Sequence, residues 1–247
     1  MRFIIVVMLA FLIGAAVFAN NRYVERRLLR ADPDSLTADS ALRRFAGERG
    51  RRLFLVHCAA CHGVSGAGDS GKGVPDLTDR DWLYGSGRVS EIEQIIEYGI
   101  RSRNPKAWSL AIMPAYGRPR PNPVDKNIEP LAPSQITDLI EFLFRQKGRE
   151  ADAAAALRGA ALYSGDAGCY DCHSPDAKGD AAIGAPNLTD GITLYGDGSR
   201  EALYLSIAYG RQGVCPAWVK KMSAADIRET AVYVYSISHR DEMPNAD

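Results

Sequence analysis

The sequence is short of cysteine and histidine and has no excess of either charge. It contains five cysteines and four histidines among 247 residues, and its 30 basic residues balance its 30 acidic ones. A net charge of zero gives no electrostatic indication of a nucleic-acid partner, and we predict none. An odd set of five cysteines cannot all pair in a disulfide framework. Hydrophobic residues make up 46% of the chain, which is ordinary for a globular protein that buries a core.

Four of the five cysteines stand in two copies of Cys-x-x-Cys-His, at residues 58–62 and 169–173. This pentapeptide is the attachment signature of c-type haem, in which two thiols bond to the vinyl groups and the histidine binds iron. A zinc site would need its second cysteine pair nearby, but 107 residues separate the two pairs. A thioredoxin-like dithiol needs no following histidine. The motifs therefore predict two covalently bound c-type haems, held by Cys58, Cys61, His62, Cys169, Cys172 and His173.

An apolar run occupies residues 3–19 near the start of the chain. Its 17 residues are at the lower limit for a helix that spans a membrane. The ending Val17-Phe18-Ala19 also suits a signal-peptidase site. Of these two interpretations we favour a retained transmembrane anchor over residues 1–20, which makes the lipid bilayer a predicted partner.

The arginines that follow this run give a conflicting orientation. Arg22, Arg26, Arg27 and Arg30 would place the body of the protein in the cytoplasm under the positive-inside rule. Haem attachment to Cys-x-x-Cys-His takes place outside the cytoplasmic membrane in bacteria, as the resemblance to c-type cytochromes implies. We therefore predict a single-pass protein of the bacterial cytoplasmic membrane with its haem domains facing the periplasm. The juxtamembrane segment, residues 21–42, then contacts lipid headgroups or a partner subunit, or is an exposed helix.

The chain repeats itself with a constant offset of 111 residues. The offset relates the two haem motifs, the Pro-Asp-Leu-Thr-Asp segment at 75–79 to 186–190, and Tyr-Gly at 98–99 to 209–210. A single offset over more than forty residues indicates two copies of one domain. We predict domains at residues 43–148 and 156–240, with a linker at 149–155 and a tail at 241–247.

Apolar residues recur at helical spacing in both copies. The pattern predicts helices over residues 42–56, 89–98, 133–146, 200–209 and 224–236. The order of helix, haem loop, helix, ligand loop and helix resembles the small all-α cytochrome c domain. The predicted fold class is therefore all-α, with two tandem cytochrome c domains and an N-terminal transmembrane helix. Residues 66–72 imitate a phosphate-binding loop, but Gly73 stands where Ser or Thr is needed and no strand precedes it.

Met113 is the candidate for the second iron ligand in the first copy. Methionine is the usual partner of histidine in electron-transfer haems and raises their potential. The residue follows His62 by 51 positions, and Pro114 favours an extended backbone from which a side chain can project.

In the second copy Cys215 takes the place of methionine. Pro216-Ala217-Trp218 aligns with Pro114-Ala115-Tyr116. Either Cys215 binds iron as a thiolate, or it is a free thiol beside an open or differently ligated iron, or Met222 is the ligand. Met222 aligns with Leu131, an apolar packing residue, so it is disfavoured as an iron ligand. His239 is a distant alternative because it lies beyond the last helix. We interpret His57, next to Cys58, as a structural or exposed residue. A thiolate is a soft anionic ligand that stabilises ferric iron and lowers the potential. We predict a haem with His173 and Cys215 as its ligands.

Residues around the motifs resemble the dihaem subunit of cbb3-type cytochrome c oxidases, over roughly residues 48–238. The resemblance rests on the segments 75–85, 98–99, 113–117, 186–190, 209–211 and 231–236. It implies that Pro75 and Pro186 lie beside the proximal histidines and that electrons arrive from a soluble or membrane cytochrome. The family is expected to have methionine, not cysteine, at position 215, and a longer N-terminal membrane portion.

These features predict a membrane-anchored periplasmic dihaem cytochrome c that relays electrons within or to a respiratory membrane complex, most simply a terminal oxidase. Its expected partners are subunits of that complex and another cytochrome or small electron carrier. No catalytic residues are predicted, because the redox chemistry belongs to the haem. The alternative is a dihaem enzyme that oxidises or reduces a small sulfur compound at a His/Cys haem. No cluster of basic residues surrounds Cys215 to hold such an anion.

Overall fold

The computed structural model describes residues 2–240, without the side chains of residues 2 and 3. The predicted tail, 241–247, lies outside the described residues. The described part is helical, with isolated β-bridges and no strand, which confirms the all-α prediction. A 3-10 turn, Pro33–Thr37, accompanies the helices α1 Arg2–Arg30, α2 Ser40–His57, α3 Ala59–His62, α4 Val89–Tyr98, α5 Pro133–Gln146, α6 Ala153–Ser164, α7 Tyr170–His173, α8 Arg200–Tyr209 and α9 Ala224–Ser238.

Helix α1 is long and apolar enough to cross a membrane. Its most apolar window, within Ile4–Arg30, has a mean hydropathy of 2.3, and none of that window is buried inside the protein. The helix covers the predicted anchor, residues 1–20, and extends into the predicted juxtamembrane segment. It continues as one helix to Arg30, and Leu28 in its last turn is fully buried.

Arg228, a buried arginine of α9, forms hydrogen bonds with the backbone at the end of α1. Arg228 Nη1 donates hydrogen bonds to the carbonyl oxygens of Leu28 at 3.0 Å and Ala31 at 3.2 Å, and its Nε lies 2.5 Å from Glu93 Oε2 on α4. Carbonyls at a helix C-terminus lack partners within the helix, so this guanidinium satisfies them. These contacts attach the end of α1 to α4 and α9, which pack in the same core as the first haem motif.

The helices form two hydrophobic cores, and these cores do not follow the two copies in the sequence. The first core joins the end of α1 to α2, α4 and α9. The second joins α5, α6 and α8. Thus α2 packs against α9, and α5 against α6. We call residues 28–100 with 213–238 the first packing unit, and residues 113–211 the second packing unit.

The last helix of each copy therefore packs on the first helix of the other copy. Only residues 147–152 connect α5 to α6, and the two helices pack against each other. That pairing leaves α9 to cover α2. The predicted domains, 43–148 and 156–240, remain copies in the sequence, but neither is a packing unit.

Equivalent glycines allow both helix pairs to approach closely. A Cβ atom on Gly50 of α2 would lie 2.0 Å from the backbone oxygen of Glu229 on α9. A Cβ atom on Gly159 of α6 would lie 2.0 Å from the backbone oxygen of Asp138 on α5. The two packing units are thus built alike, although their helices are taken from different parts of the chain.

Candidate haem-binding sites

The proximal side is the same in both haem motifs. Each histidine ends a one-turn helix, α3 or α7. His62 Nδ1 lies 3.3 Å from the carbonyl oxygen of Pro75, and His173 Nδ1 lies 3.0 Å from that of Pro186. A carbonyl oxygen only accepts, so Nδ1 carries the hydrogen and Nε2 presents its lone pair to a metal. Burial lowers the pKa of both imidazoles, which favours the neutral form that binds iron.

The motif cysteines lie at the edge of each core, and none forms a disulfide within the described part of the chain. Cys58 packs against the first core and Cys169 against the second, whereas Cys61 is exposed. Burial is the largest cause that raises the pKa of Cys58 to about 12 and of Cys169 to about 11. Apolar and aromatic side chains surround both motifs, namely Leu77, Trp82 and Trp218 in the first core and Tyr116, Leu188 and Ile207 in the second. Two thiols, an oriented imidazole and an apolar surround fit a c-type haem at each motif.

Met113 lies with the second haem motif, not with the first. It packs against the second core, as does Cys169. Its backbone N–H donates to Arg211 O at 3.1 Å. Three residues further on, the Tyr116 hydroxyl donates to the carbonyl of Ala167, close to the start of the second motif. These contacts bring the ligand loop of the first copy to the haem motif of the second.

Cys215 lies with the first haem motif. Its backbone exchanges two hydrogen bonds of 3.0 Å with Ile100. Burial is the largest cause that raises the pKa of Cys215 to about 11, and the nearby thiol of Cys61 adds to the shift. Trp218, on the same loop, packs its ring 5.0 Å from that of His57, next to the first motif. The structure thus places Cys215 near Cys58 and Cys61 of the first motif, whereas the sequence analysis paired it with His173 of the second.

Two glycines at equivalent positions allow these loops to cross. Gly99 has a φ of 79°, and a Cβ atom on it would lie 2.4 Å from the carbonyl oxygen of Cys215. Gly210 has a φ of 68°, and its Cβ atom would lie 2.5 Å from the carbonyl oxygen of Met113. Only glycine combines a positive φ with so close a backbone approach. The sequence shows both residues in its repeat, but not their role.

The other candidate ligands have structural roles. Met222 is buried in the first core, as its alignment with an apolar residue predicted. His239 stacks on Tyr235 with ring centroids 4.0 Å apart, at the end of α9. Within residues 2–240 no group of three or more His, Cys, Asp and Glu side chains could hold a separate metal ion.

The sequence matches two families of cytochromes. Residues 47–146 match the family described as Cytochrome c, and residues 154–234 match Cytochrome C oxidase, cbb3-type, subunit III. The chain is similar to the cbb3-type cytochrome c oxidase subunit CcoP of Rhodobacter capsulatus, with 36% identity over 225 residues, which cover 88% of this chain and 71% of the relative. It is 34% identical over 217 residues to CcoP of Cereibacter sphaeroides, covering 88% and 70%. The FixP subunit of Bradyrhizobium diazoefficiens is 37% identical over 199 residues, covering 81% and 63%.

Proposed function

This chain belongs to the family of dihaem cytochrome c subunits of cbb3-type cytochrome c oxidases, and from that membership we propose that it relays electrons from a cytochrome or small carrier into such an oxidase. Its two cytochrome c domains bind two covalent c-type haems. Helix α1 anchors them to the membrane. We further propose that the haem domains face the periplasm, where c-type haem is attached.

The proposed ligand sets cross between the copies. In the first site, Cys58 and Cys61 would attach the haem, and His62 and Cys215 would bind its iron. The second consists of Cys169 and Cys172, with His173 and Met113. Two observations support this proposal. Cys215 is close enough to Cys58 and Cys61 to interact electrostatically with their thiols, and Met113 packs against the second core together with Cys169.

When bound, each haem supplies a one-electron redox couple. The protein orients the imidazoles through the carbonyl oxygens of Pro75 and Pro186 and keeps water from the apolar faces. A thiolate from Cys215 adds a negative charge beside ferric iron, so the first site should have the lower potential, whereas the neutral thioether of Met113 should give the second site the higher one.

The alternative, an enzyme that acts on a small sulfur compound, is not favoured. The relatives are oxidase subunits. The residue next to Cys215 on its loop, Val214, is apolar and exposed, so it offers no charge for an anionic substrate.

Electron paramagnetic resonance of the oxidised protein tests the ligand sets. The parent should show one rhombic, thiolate-type low-spin signal and one His/Met-type signal. Cys215→Met should remove the first signal and raise the potential of that haem by about 59 mV or more, a tenfold change in its reduction equilibrium. Two His/Met-type signals in the parent would contradict the assignment.

A matched pair of variants tests whether the ligand loops are exchanged between the two haem sites. Replacing Cys58 and Cys61 by serine removes the first attachment site, and we expect the thiolate signal to disappear with it. Replacing Cys169 and Cys172 by serine should leave the thiolate signal in place. The reverse outcome would pair Cys215 with His173 and would refute the exchange.

A further inference from the structure

Two arginines and two tyrosines meet where the two packing units join. We call Tyr84, Arg101, Tyr195 and Arg211 the arginine–tyrosine cluster. The guanidinium carbon of Arg101 lies 5.9 Å from the ring centroid of Tyr84, and that of Arg211 lies 4.3 Å from the ring centroid of Tyr195. Arg101 and Tyr84 are also close enough to Tyr195 to affect its pKa, which burial raises. All four residues therefore belong to one site.

The arginine–tyrosine cluster lies between the two loops that follow the haem motifs. The ring of Tyr195 would be 1.9 Å from a Cβ atom on Gly73, in the loop after the first motif. The ring of Tyr84 would be 2.1 Å from a Cβ atom on Gly184, in the loop after the second motif. Each tyrosine thus comes from one copy and contacts the haem loop of the other.

A buried polar atom in the cluster has no partner. Tyr84 is 4% exposed, and no hydrogen bond to its hydroxyl is formed within the part of the chain that the structure describes. A buried hydroxyl without a partner is destabilising, so a group that binds it is expected here.

The two arginines have unused donors and no acidic partner. Arg101 donates from Nε to Gly213 O at 2.6 Å and from Nη1 to Ala111 O at 2.9 Å. Arg211 donates from Nε to Ser206 Oγ at 3.0 Å. Among the described residues, neither guanidinium forms an ion pair with a carboxylate. Two half-buried cations beside a buried phenol without a partner match the geometry of a carboxylate ligand.

We propose that the arginine–tyrosine cluster binds haem propionates of both sites, so that one group of residues adjusts both redox potentials. The inference rests on the proposed function, since each covalently bound haem carries two propionate carboxylates, and the cluster contacts the loop that follows each haem motif. A positive charge near iron favours the ferrous form over the ferric form, because ferric iron carries one more positive charge. Because the cluster is shared, loss of one arginine should lower the potentials of both haems.

The test is a spectroscopic redox titration of the full-length protein with both haems attached. Arg101→Gln should lower both midpoint potentials, at least one of them by about 59 mV, a tenfold change in the reduction equilibrium. Arg103→Gln removes the same charge from an exposed position two residues away and should shift neither potential. A pyridine haemochrome assay should still find two haems per chain in both variants. Fewer than two haems in the parent would refute the proposed function instead.

Tyr84→Phe provides a second variant that keeps the ring. We expect a lower potential and no gain in stability, because the hydroxyl loses a carboxylate partner. A more stable variant with unchanged potentials would mean that the hydroxyl simply lacks a partner, and would overturn the proposal.

Added inorganic phosphate distinguishes a propionate from a free anion. At constant ionic strength the parent potentials should not depend on phosphate concentration. A dependence that disappears in Arg101→Gln would identify a free-anion site and would also overturn the proposal.

Discussion

Cys215 and Met113 occupy equivalent positions in the two copies, and as the proposed iron ligands they would offer different atoms. A thiolate is anionic and a thioether is neutral, so a single residue separates the expected potentials of two otherwise similar sites. The proximal sides do not contribute to this difference, because His62 and His173 each meet a proline carbonyl in the same way. At the scale of residues, the asymmetry of the protein therefore lies on the distal side of the haems.

Glu229 is another residue with a large individual effect. It is fully buried on α9, and its Oε1 lies 2.8 Å from Arg49 Nε, although the two are not aligned as a hydrogen bond. Burial is the largest cause that raises its pKa to about 7. Between the unfolded pKa of about 4.5 and the native value, the native state holds a proton that the unfolded state has lost. The free energy of unfolding should therefore fall as pH rises through this interval.

We predict that Glu229→Gln removes this pH dependence. In the parent, the contribution of this group to the free energy of unfolding should fall by about 2.5 kcal/mol between pH 5 and pH 8. Guanidinium unfolding at matched ionic strength measures the change. Glu25→Gln is the control, since Glu25 also contacts Arg49 but is less buried, and it should retain the dependence. An equal pH dependence in Glu229→Gln and the parent would contradict the prediction.

At the scale of elements, the contacts between helices depend on glycine. Gly50 lets the backbones of α2 and α9 meet, and Gly159 does the same for α6 and α5. The α2–α9 pair lies in the first packing unit and the α5–α6 pair in the second. Each pair joins helices from the two sequence copies, as the exchanged ligand loops also do.

Two substitutions within α2 separate close packing from helix propensity. Gly50→Ala should destabilise the protein by about 1–3 kcal/mol, because its Cβ atom would overlap the Glu229 carbonyl. Gly47→Ala places a Cβ atom with nothing within 4 Å and should stabilise the helix by up to about 1 kcal/mol. Thermal unfolding followed by circular dichroism measures both. The same sign for the two variants would argue against the α2–α9 contact.

At the scale of the whole molecule, the two packing units differ in the number of chain segments that form them, because the sequence copies exchange their ligand loops and last helices. The second packing unit is one contiguous stretch, residues 113–211, that contains Met113, His173 and the whole second core. The first packing unit needs two distant stretches of chain and carries the membrane helix. The first haem site therefore lies in the unit that is attached to the membrane anchor.

A pair of fragments tests this organisation. Residues 110–212, expressed in the periplasm with haem attachment, should fold cooperatively and bind one haem with His/Met spectra. Residues 43–148 contain one complete sequence copy but lack α9, so they should yield an unstable product without the methionine-to-iron charge-transfer band. Circular dichroism and visible spectroscopy measure the outcome. A stable His/Met haem in fragment 43–148 would show that the copies fold independently.

The haem count and most helices could be predicted from the sequence alone, because each depends on neighbouring residues. Attachment and proximal ligation are encoded within five consecutive residues, and α4, α5 and α8 follow local apolar periodicity with the predicted bounds. The distal pairing could not be predicted in this way. Two equivalent ligand loops can serve two equivalent haem motifs in either combination, and alignment of the copies does not distinguish them. Only the tertiary structure favours one combination, because α5 packs on α6 and leaves α9 for α2. Cys215 then lies near the thiols of Cys58 and Cys61, whereas Met113 and Cys169 pack against the second core.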